Sequence, residues 1–518
     1  MSAALALAAE PEPRTGPLAG AFRWLFAGPL LSPIATVAAS AIIPVGPWLV
    51  SVMALSVISL TLTPVLGRGA IEDIRLSVVY AFATSLVATA PVATVAARLA
   101  RGAAEEHGGR LVPEIYAACL IFAGLTAQIF ALAVVFGFGI HDVRLAVAFV
   151  ALTGSASMLW TSFAMLSALG RHWQVVGAFL LGTLLAIACA LLSTLGTPSV
   201  EVLLWSFALG LSIGHHLMFT STVGSVRVTG AGLIEAARAI WREVVRNHLL
   251  FFGVFFTMAG VWADKTVFWF SPDGMVAHSG LFHFAPYDSA TFIAHLSMIP
   301  TLAAWYLFQQ SELEPRVRAF WSLIGERPTY RLLSSRATEL QEMIWRNVFR
   351  ILFFQGACTI VLIMLAPQIV RMLSMRSDQI ELLQISSVAM LLQSLFFLCT
   401  AIIMVCNRTR TFFRLALMFF VTTVALGVGF YLLVGVSAYA IFFASLISAT
   451  ASFVFAFRAV GDFLFTIFVR ENDGLYAERP DVTPGELARN VLAAAVRRLP
   501  RDSLRAPEAA AGPTGVPA

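Results

Sequence analysis

Charge is scarce in this sequence. Of 518 residues, 12% are Asp, Glu, Lys or Arg, against about 25% in a soluble domain. The hydrophobic share is 59% and mean hydropathy is +0.84. No soluble core is large enough to bury that much apolar surface, which excludes an ordinary water-soluble globule. Cysteine is sparse as well. Cys119, Cys189, Cys358, Cys399 and Cys406 lie in or at the ends of apolar segments. None forms a Cys-x-x-Cys pair or neighbours a His cluster, so a disulfide framework and a zinc site are excluded, and no metal site is expected. These cysteines read as small buried hydrophobes. Lysine is nearly absent: Lys265 stands alone against 33 arginines.

Catalytic patterns are missing too. There is no Gly-rich phosphate loop, no Ser/His/Asp set and no usefully spaced carboxylate pair. No ATPase domain follows the apolar runs. The longest outer loop, 271–287, has seventeen residues and no Lys or Arg. Membrane glycan polymerases and ligases generally carry their chemistry on a large outer loop, so an enzyme is disfavoured and no cofactor is expected. The net charge of +5 does not indicate nucleic acid, because the basic residues sit in short loops. The first residues hold a short Ala/Leu run with no basic region before it, then Glu10-Pro11-Glu12-Pro13. That predicts a disordered cytosolic leader, not a secretory signal.

What is present is a succession of apolar runs. A helix needs roughly 20 apolar residues to cross the hydrocarbon core. That ruler predicts twelve spans at 41–63, 76–97, 115–137, 145–169, 174–195, 201–222, 249–270, 288–310, 351–370, 384–406, 414–435 and 438–458. With both termini cytoplasmic, 28 arginines fall inside and only Arg68, Arg75, Arg144, Arg371 and Arg376 fall outside. The even span number and this asymmetry agree with the preference of basic residues for the cytoplasmic side. The organisation expected is a leader over 1–26, an N-lobe of six spans over 27–222, a cytoplasmic linker over 223–248, a C-lobe of six spans over 249–470, and a partly disordered cytosolic tail over 471–518. Within the longest inner loop, 311–350, Leu313, Val317, Phe320, Trp321 and Ile324 recur at helical spacing with arginines between them. Gly325 to Pro328 breaks the pattern, and Leu333, Ala337, Leu340 and Ile344 resume it. This predicts an amphipathic interfacial helix that either caps the membrane surface or docks a cytosolic partner.

The sharpest signal is a charge where lipid belongs. Lys265 sits within the seventh span beside Asp264, and each charge costs on the order of 2.5–3.5 kcal/mol at the bilayer centre. Neighbouring helical residues point about 100° apart, so each is expected to need another partner or a wet cavity. Asp288, at the outer start of the eighth span, is the expected partner of Lys265. Two readings stay open: a cavity-facing pair required for function, or an anchor in which Lys265 snorkels to the interface. Asp288, Thr291, His295 and Met298 follow at spacings of three, four and three, a polar stripe suited either to lining a cavity or to bonding between helices. Pro300 permits a kink. Trp262, Phe268, Trp269 and Phe270 flank the pair, either as sugar-stacking faces or as an interfacial aromatic belt. His215 and His216 read as interior histidines before ligands, and Gln128, Gln355 and Gln393 as bonds between helices.

The strings Trp-Ala-Asp-Lys-Thr-Val-Phe-Trp-Phe-Ser-Pro (262–272) and Pro-Tyr-Asp-Ser-Ala-Thr-Phe-Ile-Ala-His-Leu-Ser-Met-Ile-Pro (286–300) resemble the PelG family of exopolysaccharide transporters. Gly46-Pro47-Trp48 and Gln355-Gly356 fit further family positions, and the likeness extends over roughly residues 30–470. The family usually opens with a Gly-Ile-Gly-Phe-Glu-Leu-Arg-like segment, whereas residues 16–23 here read Gly-Pro-Leu-Ala-Gly-Ala-Phe-Arg. The resemblance implies an all-α polytopic membrane protein of the multidrug/oligosaccharidyl-lipid/polysaccharide (MOP) flippase superfamily. Its twelve helices would form two six-helix lobes around a central cavity. It implies passage of Pel, a polysaccharide rich in N-acetylgalactosamine and galactosamine, across the bacterial inner membrane. The implied companions are a cytosolic glycosyltransferase and a cyclic-di-GMP-sensing membrane subunit. Asp264, Lys265, Trp262, Phe268, Trp269, Asp288, Thr291 and His295 are the candidate pathway residues. A lipid-linked oligosaccharide flippase or a cation-coupled antiporter of the same superfamily is the alternative.

Overall fold

The structure, a computed structural model, describes residues 46–106, 109–224, 228–326 and 328–465. The leader, the Gly16–Arg23 stretch and the tail from 471 lie outside the described residues. Described elements are helical except for one two-stranded hairpin. The helices are α1 (Gly46–Leu66), α2 (Arg68–Glu106), α3 (Val112–Phe138), α4 (Val143–Ala168), α5 (His172–Leu192), α6 (Val200–Val223), α7 (Gly230–Arg246) and α8 (His248–Trp269). The hairpin strands β1 (Met275–Val276) and β2 (Phe282–His283) follow. Then come α9 (Ala285–Leu296), α10 (Ile299–Phe308), α11 (Glu314–Gly325), α12 (Tyr330–Met372), α13 (Gln379–Val405), α14 (Thr409–Val434) and α15 (Tyr439–Gly461).

Eleven stretches among the described residues are helical, long and apolar enough to cross a membrane, and they coincide with the second to twelfth predicted spans. This is a polytopic membrane protein. Of the predicted first span the structure describes α1, Gly46–Leu66, and residues 41–45 lie outside the description.

Two connections depart from expectation, and the kink that Pro300 permits is present. Residues 230–246 of the predicted linker form the amphipathic helix α7, which buries Ala236 and Ile240 and exposes Ile234 and Trp241. The predicted eighth span is broken: α9 ends at Leu296 and α10 restarts at Ile299, with Pro300 in its first turn. A proline lacks the N–H that a continuous helix would use, and the kink falls where it is tolerated. A π turn over Gln309–Leu313 then leads into α11. The second half of loop 311–350 is no separate surface helix. It runs unbroken into the ninth span as the 43-residue α12, because no Gly or Pro intervenes between Tyr330 and Gln355 to stop it. The stripe Leu333, Ala337, Leu340 and Ile344 is buried as its periodicity predicts.

Helices α2 to α6 pack on one another, and α5 also packs on α1. Helices α12 to α15 form a second packed set with α9 on α13 and α8 on α14. Helix α8 also packs on α2, which joins the two sets. One buried cluster spans Ala54 to Leu281 and another Ala290 to Ile441. Close approach depends on small residues, as it does where lipid supplies no hydrophobic drive between helices. A Cβ on Gly210 would collide with the Gly182 carbonyl, locking α5 to α6. On α8, Gly253 receives the Phe412 ring and Gly260 the Phe419 ring, so two glycines seven apart accept two phenylalanines seven apart on α14. Buried hydroxyls bond back along their own helices, Thr89 to the Ser85 carbonyl (2.7 Å) and Thr153 to the Phe149 carbonyl (2.9 Å). Each such bond satisfies the hydroxyl that makes it in an apolar surrounding.

Candidate functional site: a buried ion pair near the end of α8

The α8–α14 seam carries α8 along its length and delivers its last two turns to the junction with α2 and α9. There Asp264 and Lys265 are both buried, at 3% and 9% relative exposure. Contrary to the sequence expectation, they pair with each other. Lys265 Nζ lies 3.4 Å from both Asp264 Oδ1 and Oδ2. The flexible four-carbon stem of lysine spans the angular offset that separates adjacent helical positions. Tyr287, fully buried at the start of α9, donates its hydroxyl to Asp264 Oδ2 at 3.2 Å. The Trp262 ring lies 5.7 Å from Nζ, within cation–π range.

The pair is loose. Charge-assisted N–H···O bonds ordinarily measure about 2.7–2.9 Å. Lysine has three N–H donors, and both of its bonds to the carboxylate are long. It retains capacity for a hydroxyl or acetamide brought against it, and Asp264 offers acceptor capacity beside it.

Asp288, the expected partner of Lys265, is committed elsewhere. It accepts from Trp269 Nε1 at 3.0 and 2.9 Å and from the Phe284 backbone N–H at 3.1 Å. A carboxylate at the first turn of a helix is well placed there, since it faces unsatisfied backbone N–H groups. Trp269 stacks on Tyr80 of α2 with centroids 4.7 Å apart and planes at 27°. Phe268 is wholly buried against Tyr287 at 4.4 Å. Thr291, also wholly buried, donates to the Tyr287 carbonyl at 2.9 Å. His295 Nδ1 lies 2.7 Å from the Thr291 carbonyl, while its Nε2 is buried without a hydrogen-bond partner. Met298 completes the stripe within the second core cluster. A groove of about 390 Å³ opens beside the site between α8 and α14, lined by Thr266, Val267, Phe270, Ser271, Pro272, Val424, Val428 and Tyr431. Neither charged residue is among its walls.

Residues 23–468 match PelG, described as "Putative exopolysaccharide Exporter (EPS-E)". The chain belongs to the PelG family. No curated protein matches it. Among solved structures, an outward-facing multidrug resistance MATE family transporter of the MOP superfamily aligns with TM-score 0.58 and 15% identity, covering 88% of this chain and 100% of that one. A MATE structure in the straight conformation gives 0.59 and 16%, with coverage of 88% and 100%. A MOP superfamily transporter from Pyrococcus furiosus gives 0.58 and 15%, with 87% and 99%. These likenesses establish a MOP-transporter fold. The family is described as one of exporters, and the fold is the one these transporters share.

In this PelG-family chain the structure places Trp262, Asp264, Lys265, Phe268 and Trp269 toward the end of α8 and Asp288, Thr291 and His295 along α9. Trp262, Asp288 and His295 are half-buried among them, and the other five are buried. Two residues escaped the sequence reading. Tyr287 stood next to Asp288 in the family string and its hydroxyl was the available signal. Tyr80 lies nearly two hundred residues away in an unremarked span and had none. The lesser candidates separate cleanly. His215 Nδ1 lies 2.7 Å from Ser162 Oγ, whereas His216 is exposed. Gln128 bonds across to the Val150 carbonyl at 3.3 Å and Gln355 accepts from Thr301, both between helices. Gln393 Oε1 is buried without a partner.

Proposed function

We propose that this PelG-family protein carries a Pel-like polysaccharide, rich in N-acetylgalactosamine and galactosamine, from cytosol to periplasm across the bacterial inner membrane. The path runs between two lobes of six spans each, α1–α6 and α8–α15 with α9–α11 making one span, that rock about their junction, with both termini cytoplasmic. The observation that carries the reading is the loose Asp264–Lys265 pair held within a membrane-spanning helix. A glycan presents hydroxyl and acetamido groups that both donate and accept. An ammonium and a carboxylate side by side engage each kind in turn, and their mutual attraction competes with the cargo. Passage needs such weak, exchangeable contacts, since a polymer held tightly does not advance. Trp262 adds an aromatic face beside the charges, suited to a sugar ring. A cytosolic glycosyltransferase supplies the chain, and a cyclic-di-GMP-sensing membrane subunit regulates the assembly.

The test is secretion in a producing bacterium. Lys265→Ala and Asp264→Ala should abolish extracellular polymer, scored per membrane-inserted protein because each variant orphans a buried charge. The polymer lost should be the hexosamine-rich one. Normal secretion by both variants would refute the pathway role. Loss of a lipid-linked oligosaccharide product instead would favour the flippase alternative.

A further inference from the structure

The segment between α8 and α9 is fastened to a helix two hundred residues earlier. Its strands pair with Met275 opposite His283 and Val276 opposite Phe282. Three bonds then tie it to the first turns of α2. Asp73 Oδ1 accepts the Ser279 backbone N–H at 2.9 Å. Glu72 Oε1 lies 2.9 Å from His283 Nε2. Tyr80 donates its hydroxyl to the Phe282 carbonyl at 2.7 Å. Positions 73 and 80 lie about two turns apart on one helix face, with Glu72 about 100° round from Asp73. The Phe282 ring reaches Phe138 at the end of α3 (5.6 Å) and Phe270 (5.4 Å). A Cβ on Gly69 would lie 3.2 Å from the His278 ring, so the hairpin sits tightly against α2. The fastening is continuous with the ion pair. Tyr80 stacks on Trp269, Trp269 donates to Asp288, and Asp288 directly follows Tyr287, which donates to Asp264. At the opposite end of α2, Arg101 Nη1 lies 3.8 Å from Glu314 Oε1, so α2 is bonded to the second half of the chain at both ends.

We propose that the 275–283 hairpin is a latch closing the outer mouth of the path, with Glu72, Asp73 and Tyr80 of α2 as its catch. Arg101–Glu314 is the opposing tie at the inner mouth. The proposal rests on the rocking lobes of the transport reading above. Contacts made in only one of two states bias the equilibrium toward that state by their whole differential strength. Loss of one charge-assisted bond is therefore expected to shift the balance about tenfold or more.

The experiment uses the full chain with its five native cysteines replaced. In one arm, Trp262→Cys reports the path, read as its rate of labelling by a membrane-impermeant maleimide added from outside. Glu72→Gln with Tyr80→Phe should raise that rate about tenfold, and Arg101→Gln should lower it. In the other arm, Asp73→Cys with Ser279→Cys is cross-linked by oxidation. With the reporter present this should suppress outside labelling, and without it secretion should stop until reductant is added. Labelling unchanged by both the catch variants and the cross-link overturns the latch. Labelling that falls on cross-linking while secretion continues leaves the latch standing and overturns the transport reading beneath it.

Discussion

Breaking the Asp264–Lys265 pair one residue at a time should destabilise the protein, whereas removing both charges should not. In Asp264→Asn, Lys265 keeps its charge and loses the carboxylate 3.4 Å away, with the Trp262 ring still beside it. In Lys265→Met, Asp264 is left with the Tyr287 hydroxyl. An orphaned buried charge costs about 3–5 kcal/mol, or roughly a hundred- to a few-thousandfold in the folding equilibrium. The Lys265 side chain is 11% exposed, which places the cost of orphaning it at the lower end. In the double variant Asp264→Asn/Lys265→Met, neither charge remains, the volumes are nearly kept, and Tyr287 retains an amide oxygen to donate to. A neutral replacement of this kind is often energetically neutral or better. Heat-induced loss of the monodisperse protein in detergent should therefore order the double variant beside the parent and above both single ones. Secretion should order differently: all three variants should fail, because the double variant restores the fold without restoring the charges. Wild-type secretion from the double variant would reduce the pair to a structural tie. Equal thermal stability of all four proteins would refute the electrostatic reasoning itself.

Two further outcomes check the packing and the orientation. Gly260→Leu should lower the yield of folded protein by overpacking, about 1–3 kcal/mol, because its Cβ would lie 2.6 Å from the Phe419 ring. Phe419→Ala should partly rescue it, and Gly429→Ala, with nothing within 4 Å, should be silent in the same assay. Met275→Cys, on the exposed β1 strand, should react with an impermeant thiol reagent only from the outer face, and Gly325→Cys, at the end of α11, only from the inner face. Labelling from the opposite faces would overturn the topology.

Hydropathy located the second to twelfth spans because the cost of an unsatisfied backbone in lipid leaves few choices besides a long apolar helix. It located the break near Pro300 for the same reason that proline interrupts any helix. It failed where the deciding interaction is not periodic in the sequence. Residues 230–246 were read as a plain connection, although Ala236 and Ile240 on one face and Arg238 and Arg242 on another mark an amphipathic helix. Composition changes at the membrane boundary within α12, while the backbone continues through it for lack of a breaker. At the site, Asp264 and Lys265 were legible as an anomaly from two letters, but their partners were not. Adjacent positions seemed too far apart in angle to pair, and the length of the lysine stem decided otherwise. Asp288 went to Trp269 and Phe284, partners set by how the hairpin turns the chain into α9. No span-level pattern announces the Tyr80–Trp269 stack, since it joins residues that only the tertiary fold brings together.

The chain's one lysine is its only side-chain primary amine, and it lies at the candidate site. Acylating or carbonyl reagents that target such amines therefore meet one side-chain address in the whole molecule, with the α-amino group as the other. Their reaction there would follow each opening of the site in the unaltered protein, with no residue replaced to install a reporter.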